Sequence, residues 1–468
     1  MKNMKGKVSK ENLSVYMYFC FTAFLNLRFV TREYAWADDW SFLGSYVGYS
    51  PSHREEHLAG FRPILQLVFD SSFSQLDNVK DLAFLRIISV LGTMILSFYL
   101  YWCLRKLAWS PISSFCIAGF IQFLPSFQIY QKWATAFAYS WIALLSLLSF
   151  TLLRNNKIPL AFLLLNICFL TYQPAATFGL VLVLANYLVK GTPDKTSTRF
   201  AILTVGAFVT STITSRVLIY ILGIEPKERS GVISNFYELI DKVVWVVSRP
   251  LVLSIRPFTW DSPSAFEALS LFPIILIVAS ATWLKFRSVK AYLGVVASYL
   301  FLFCLMLLPL LPLAENQIEF RTLPATSVAG LMIMIWALKV VIPRRKALVH
   351  VRNIAVTVSF VLIAYTSNSI SQQVFIKPYD RTKNFILEDS KKQYGDELFY
   401  KIEYGNWPMR DYVGSPSVIY DLQMSWVVEP MLKFTLENKF NDFIQIDSNQ
   451  DIDSGVLDLN LLKTVPLE

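Results

Sequence analysis

The residues best placed to do chemistry are two adjacent carboxylates, Asp38 and Asp39, in the run Tyr34-Ala35-Trp36-Ala37-Asp38-Asp39-Trp40. Neighbouring carboxylates repel each other and seek a proton, a metal or a cation. An ionised one can also take the proton of a hydroxyl group that attacks a substrate. The flanking aromatics suit the headgroup level of a membrane. A second reading of the same residues is a solvated acidic pair capping an interfacial helix. The cations that would answer the pair lie far away in the chain: Arg62 in Gly60-Phe61-Arg62-Pro63, Lys132, Lys227, Arg229, Arg249, Arg256 and Arg321. Snorkelling towards lipid phosphates accounts for such residues equally well. Arg321 stands out, because Glu315 to Arg321, with Glu319 inside it, lies between two long apolar runs. Ionisable groups are costly there and face a cavity. Carboxylates for a hydroxyl and guanidiniums for a phosphate suit transfer from a phosphate-linked donor.

One motif competes. His53-Arg54-Glu55-Glu56-His57 fits a zinc-protease pattern. Pro51, Gly60 and Pro63 crowd its helix, and the one other histidine, His350, falls on the opposite side of the membrane in the threading below. The chain has no nucleophile elbow, phosphate-binding glycine loop or nucleotide fingerprint, which argues against a cytoplasmic nucleotide-sugar enzyme.

The elements that must position these residues are membrane helices. The 468 residues are 54% hydrophobic and only 16% charged, where soluble proteins carry about 25% charged residues. Apolar runs lie near 13–31, 82–104, 110–130, 138–153, 158–173, 175–189, 199–222, 264–284, 291–313, 324–342 and 353–370. Their lengths suit a bilayer crossing and predict an all-α polytopic membrane protein of about eleven transmembrane helices. The fifth and sixth runs meet at Tyr172-Gln173-Pro174, a tight hairpin or one broken helix. With Lys2, Lys5, Lys7 and Lys10 inside, and the hairpin reading, the inner loops carry Arg105-Lys106, Arg154/Lys157, Lys190/Lys195, Lys285/Arg287/Lys290 and Arg344-Arg345-Lys346. All are basic, as the positive-inside rule requires. The loop 32–81, holding the acidic pair, and the loops 131–137, 223–263 and 314–323 then face outward.

From Ser371 onward the chain carries 10 Lys/Arg against 16 Asp/Glu, while the rest carries 33 against 18. Residues 1–370 therefore read as the transmembrane domain and 371–468 as a small soluble α+β domain on the outer side. Its elements would include a charged helix over Gln373–Tyr394, a strand near Leu398–Tyr404 and a helix over Pro430–Phe440. The basic residues are scattered among short loops, which argues against nucleic acid as a partner. All five cysteines fall in apolar runs and read as packing residues.

Ala37-Asp38-Asp39-Trp40, Gly60-Phe61-Arg62-Pro63, Thr171-Tyr172-Gln173-Pro174, Glu319-Phe320-Arg321 and Tyr379-Asp380-Arg381 together resemble the GT-C class of membrane glycosyltransferases. More closely, they resemble the bacterial and phage-type O-antigen glucosyltransferases of the glucosyl transferase type II-like family. The resemblance covers roughly residues 14 to 390. It implies an enzyme of the bacterial inner membrane with its amino terminus in the cytoplasm and its C-terminal domain in the periplasm. It implies an undecaprenyl-phosphate-linked sugar donor, most often of glucose, and a lipid-linked O-antigen or related glycan as acceptor. By the same resemblance Asp38 or Asp39 is the general base. Arg321, with Arg62 or Lys132, holds the donor phosphate, and Tyr172 and Gln173 lie near the donor head group. The Asp-Asp pair departs from the spaced D-x-D of metal-binding relatives, so no metal cofactor is expected. A transporter or flippase for a lipid-linked glycan is the alternative. Transporters place polar groups at mid-membrane and show repeated halves, whereas the charges here cluster at the outer ends.

Overall fold

The structure is a computed structural model. It describes residues 10–36, 38–47, 56–226, 231–258, 260, 271–316, 320–341, 346–377, 379–380, 383–384, 400–403 and 456–459. Almost all of this is helix. The helices are α1 (Lys10–Val30), α2 (Asp38–Val47), α3 (Glu56–Ala59), α4 (Pro63–Phe73), α5 (Leu82–Lys106), α6 (Pro111–Phe120), α7 (Pro125–Lys132), α8 (Tyr139–Arg154) and α9 (Ile158–Thr171). They continue as α10 (Gln173–Ala176), α11 (Leu180–Lys190), α12 (Lys195–Leu222), α13 (Phe236–Ser248), α14 (Pro250–Ile255), α15 (Leu271–Phe286), α16 (Val289–Met306), α17 (Pro324–Val341) and α18 (Lys346–Ser371). Each apolar run predicted from the sequence holds a helix over at least part of its length among the described residues. Among the described residues, four helices are long and apolar enough to cross a membrane, or five if one bent pair counts as a single span.

That bent pair corrects the sequence reading of 110–130 as one helix. Leu124 is extended, Pro125 opens a new helix, and the two pieces meet at 51°. Proline has no N–H to continue the first ladder and its ring is compatible with the first turn of the second. The break turns α7 so that Tyr130, Lys132 and Trp133 arrive at one end of the bundle. The loop 223–263 is likewise more ordered than expected, since α13 and α14 form within it.

The junction at Tyr172 is a hairpin. Tyr139, at the start of α8, stacks on Tyr172 at 3.6 Å, so α8 and the end of α9 share one end of the bundle. The other end of α8 lies beside α5, where Thr151 Oγ1 is 3.9 Å from Cys103 Sγ. The far end of α11 lies there too: Trp109 Nε1 donates to the carbonyl of Ala185 (3.1 Å) and Lys285 Nζ to that of Leu188 (2.5 Å). The chain thus reaches Tyr172 along α9 and returns along α11. Arg105, Arg154, Lys190, Lys195 and Lys285 all belong to the end away from Tyr172.

Small residues allow close helix contact where hydrophobic driving force is weak. At Gly330 on α17, an added Cβ would stand 1.7 Å from the backbone oxygen of Ser254 on α14. Backbone cannot step aside cheaply, so Gly330→Ala is expected to destabilise the protein by about 1–3 kcal/mol. Gly294→Ala, which meets nothing within 4 Å, serves as the control. A thermal-unfolding comparison in detergent checks this, and equal midpoints for the two variants would refute it.

The segment after α18 continues through a wider helical turn, Gln372–Ile376. Farther on, the strand Tyr400–Glu403 pairs antiparallel with Val456–Leu459, and Tyr400 faces Leu459. The helix expected over Pro430–Phe440 lies outside the described residues.

Candidate active site

The acidic pair is positioned by an arginine. After α1 the chain leaves helical geometry from Thr31 to Trp36, exposing backbone carbonyls that need donors. Arg86, fully buried on α5, supplies them. Its Nε donates to the carbonyl of Val30 (3.0 Å), Nη1 to Tyr34 (2.7 Å) and Nη2 to Arg32 (2.8 Å). Its guanidinium also lies 3.8 Å from the centre of the Tyr34 ring, and Tyr34 in turn donates its hydroxyl to the carbonyl of Lys132 (2.8 Å). The loop is thereby fixed to both α5 and α7, and α2 starts from it with two acids in its first turn, where the helix dipole favours negative charge.

The two carboxylates diverge. Asp39 is fully buried and points inward. It accepts backbone N–H groups of Trp36 (3.1 Å), Ala134 (3.4 Å) and Thr135 (2.9 Å), which pins the tight turn Ala134–Ala136 beneath α2. Asp38 points outward, with its side chain 35% exposed, and its Oδ2 lies 4.0 Å from Nη1 of Arg321.

Arg321 sits in a single tight turn, Phe320–Thr322, and is held through its backbone. Its carbonyl accepts the hydroxyls of Tyr130 (2.7 Å) and Tyr172 (3.2 Å), and its guanidinium lies 4.4 Å from the centre of the Trp133 ring. Tyr172, extended between α9 and α10, leads on to Arg62, whose guanidinium is 5.1 Å from the Tyr172 ring centre. Arg62 Nε donates to Oε1 of Gln173 (3.1 Å), and Gln173 Nε2 donates to the carbonyl of Phe61 (2.9 Å). Asp38, Arg321, Tyr172, Gln173 and Arg62, drawn from distant parts of the chain, therefore form one contiguous group.

No protein-family model, curated protein or solved structure matches this chain. Function is therefore read from the site's own chemistry. One exposed carboxylate beside a guanidinium, with a second guanidinium one tyrosine away, can accept a proton and hold a dianionic leaving group within the same small region.

Three predicted members are not part of this group as described: Asp39, which turns inward, Lys132 and Glu319. Lys132 is buried, its ammonium donating to Oε1 of Gln128 one helical turn earlier and lying 5.2 Å from the Phe29 ring centre. Ser371 donates to the same oxygen (2.8 Å). Gln128 thus ties α7 to the end of α18, and Lys132 is spent on the same Gln128 oxygen. Glu319 lies outside the described residues. His57, of the zinc-like motif, is packed between the rings of Phe42 (4.9 Å) and Phe69 (4.3 Å), and His53 also lies outside the described residues.

Sequence reading missed Arg86, Tyr130, Trp133 and a clasp beside α2. In that clasp Glu33 accepts from Lys383 Nζ (2.7 Å) and from the hydroxyl of Tyr379 (3.0 Å). Tyr379 also stacks on Trp40 of α2 at 6.0 Å. Burial raises the Glu33 carboxyl, but those two hydrogen bonds, with the charges of Lys383 and Lys80, together outweigh it and hold the group below its usual value. A signal for Arg86 existed: a lone ionisable residue one turn inside an apolar run demands a partner. The aromatics gave none, since they read like any packed core.

The burial of Asp39 has a pH consequence. Burial raises its carboxyl from 3.8 to about 7, against the Arg86 charge and the three N–H donors, which favour ionisation. A carboxyl raised on folding contributes most when protonated. Its contribution is full below its unfolded value and is lost as pH rises through the folded one. Stability at this site therefore falls with rising pH between 3.8 and about 7. The wild-type unfolding midpoint is expected to drop more between about pH 5 and about pH 8 than that of Asp39→Asn. Parallel curves in paired thermal scans would refute this. The variant should start lower, because one amide oxygen faces three N–H donors.

Proposed function

We propose that this chain is an inverting membrane glycosyltransferase. It moves a sugar, glucose by the family resemblance, from undecaprenyl phosphate to an O-antigen or related glycan at the periplasmic face of the bacterial inner membrane. The observation that carries the reading is the outward carboxylate of Asp38 set 4.0 Å from Arg321, with Tyr172, Gln173 and Arg62 alongside, at the end of the bundle opposite the basic loops. In the reaction, Asp38 takes the proton of the acceptor hydroxyl. The hydroxyl oxygen forms its bond to the anomeric carbon from the face opposite the phosphate. The carbon–oxygen bond to the phosphate breaks, and polyprenyl phosphate leaves with the electron pair. Arg321 and Arg62 balance the charge that develops on that phosphate, a preorganised electrostatic role. Asp39 and Arg86 act as positioning residues.

The proposed topology has eleven crossings with the amino terminus in the cytoplasm. It is supported by the shared end of the basic loops, because positive loops remain inside. The segment from 371, read as a small α+β periplasmic domain, follows a last helix whose end is tied to α7 through Ser371 and Gln128. The test is expression in a smooth Gram-negative host followed by mass spectrometry of the lipopolysaccharide. A hexose added per repeat unit is expected, and unchanged glycan in a host that supplies the polyprenyl-linked sugar would overturn the reading.

A further inference from the structure

Phe61 is the hinge of a feature that extends from the catalytic group to the outside of the helix bundle. It adopts φ +61°, a left-handed conformation that non-glycine residues keep only where their surroundings over-determine it. Here the surroundings do so. The Phe61 carbonyl accepts from Gln173 Nε2 (2.9 Å) and from Ser215 Oγ on α12 (3.3 Å), while the next N–H, that of Arg62, donates to His57 (2.8 Å). The effect is to split the two sides of one short segment. Arg62 is turned towards Tyr172 and Gln173, and the Phe61 ring is turned towards α12, where the guanidinium of Arg216 lies 5.8 Å from its centre.

Arg216 is exposed on an apolar surface shared with Ile213, Val217 and Tyr220, which are also exposed. It lies 21 residues beyond Lys195 on one continuous helix, a rise of about 31 Å at 1.5 Å per residue. That matches the hydrocarbon thickness of a bilayer, about 30 Å, so Arg216 stands at the headgroup level opposite the basic end. Among the described residues, neither Arg216 nor the Nη atoms of Arg62 make a hydrogen bond or ion pair. Two guanidiniums with open donors are therefore set by one fixed segment: Arg216 over the Phe61 ring on the lipid side and Arg62 over the Tyr172 ring on the side of the catalytic group. A snorkelling arginine needs no such fixed neighbour.

We infer that Arg216 and Arg62 form a lateral site for the phosphate of a polyprenyl lipid, through which it passes from the bilayer towards Asp38 and Arg321. The direction of travel rests on the transferase reading, whereas the binding site does not. The ligand chemistry, a lipid phosphate, is shared with ordinary anionic phospholipid, so the test separates the two. Purified full-length protein in phosphatidylcholine nanodiscs is titrated with undecaprenyl phosphate and, separately, with phosphatidylglycerol, and bound lipid is counted by native mass spectrometry. Undecaprenyl phosphate should bind the tighter. Arg216→Ala and Arg62→Ala should each weaken it roughly tenfold, the loss of one charge-assisted contact, with partial recovery in Arg216→Lys. Phosphatidylglycerol binding should ignore Arg216. Unchanged undecaprenyl phosphate binding in Arg216→Ala, or an equal loss for both lipids, overturns the site. No sugar is transferred in this assay. Arginine-dependent lipid binding without any transferase activity would retire the transferase and leave the site. A transferase whose donor KM and lipid binding ignore Arg216 would do the reverse.

Discussion

Asp38→Asn is expected to abolish sugar transfer while leaving the protein folded. The amide has the shape of the carboxylate but cannot take a proton, and loss of a general base costs about 10²–10⁴ in rate. The structural cost is small. Asp38 is partly exposed and its Arg321 contact is long at 4.0 Å, and exposed ion pairs contribute about 0–1 kcal/mol. Activity and stability should therefore separate: transfer lost, and the unfolding midpoint within a degree or two of wild type, given that about 1 kcal/mol moves it only a few degrees. Asp39→Asn should show the opposite balance, because Asp39 is spent on three backbone N–H groups. The assay is transfer of labelled sugar in membranes, normalised to protein. Activity in Asp38→Asn within a few-fold of wild type would eliminate Asp38 as the base.

That division of labour between neighbours could not be read from the chain. What could be read was that carboxylates and guanidiniums at the ends of apolar runs are conspicuous, which brought out Asp38, Asp39, Arg62 and Arg321 together. Which carboxylate turns inward is decided by the amides of Ala134 and Thr135, about a hundred residues away, and those are available because α7 ends at Lys132 and the chain is extended at Trp133, so that they open a new turn with no helical acceptor of their own. Lys132 was assigned to the donor phosphate because the charge-based threading puts it among the outward-facing cations. Gln128 at the preceding turn, the i−4 spacing at which helical side chains meet, already offered it a different partner. The long apolar helices were legible, because lipid leaves a backbone few other options, whereas the break at Pro125 and the helices α13 and α14 were not. The clasp between Glu33 and Lys383 spans 350 residues and has no local signature.

Arg86 is the residue on which this arrangement should depend most in stability. Arg86→Leu is expected to leave the carbonyls of Val30, Arg32 and Tyr34 without their donor, at about 1–3 kcal/mol for each buried group left unpaired. Together that is comparable with the whole stability of an ordinary domain, about 5–15 kcal/mol, so little folded protein should accumulate. Arg86→Lys tests whether charge alone suffices. It keeps the positive charge near Asp39, but an ammonium is a point donor and cannot reproduce a planar fork that reaches three carbonyls and stacks on Tyr34. It should fold with a lowered unfolding midpoint and transfer sugar poorly, because the loop that aims Asp38 is no longer fixed. Asp39 and Arg86 also act on each other, since the Arg86 charge opposes the cost of burying the Asp39 carboxylate. Removing both should therefore cost less than the sum of the single losses, a coupling that a double-mutant cycle measures. Wild-type expression and unfolding of Arg86→Leu would show that the loop after α1 is held by something else, and the account of how Asp38 comes to face Arg321 would have to be rebuilt.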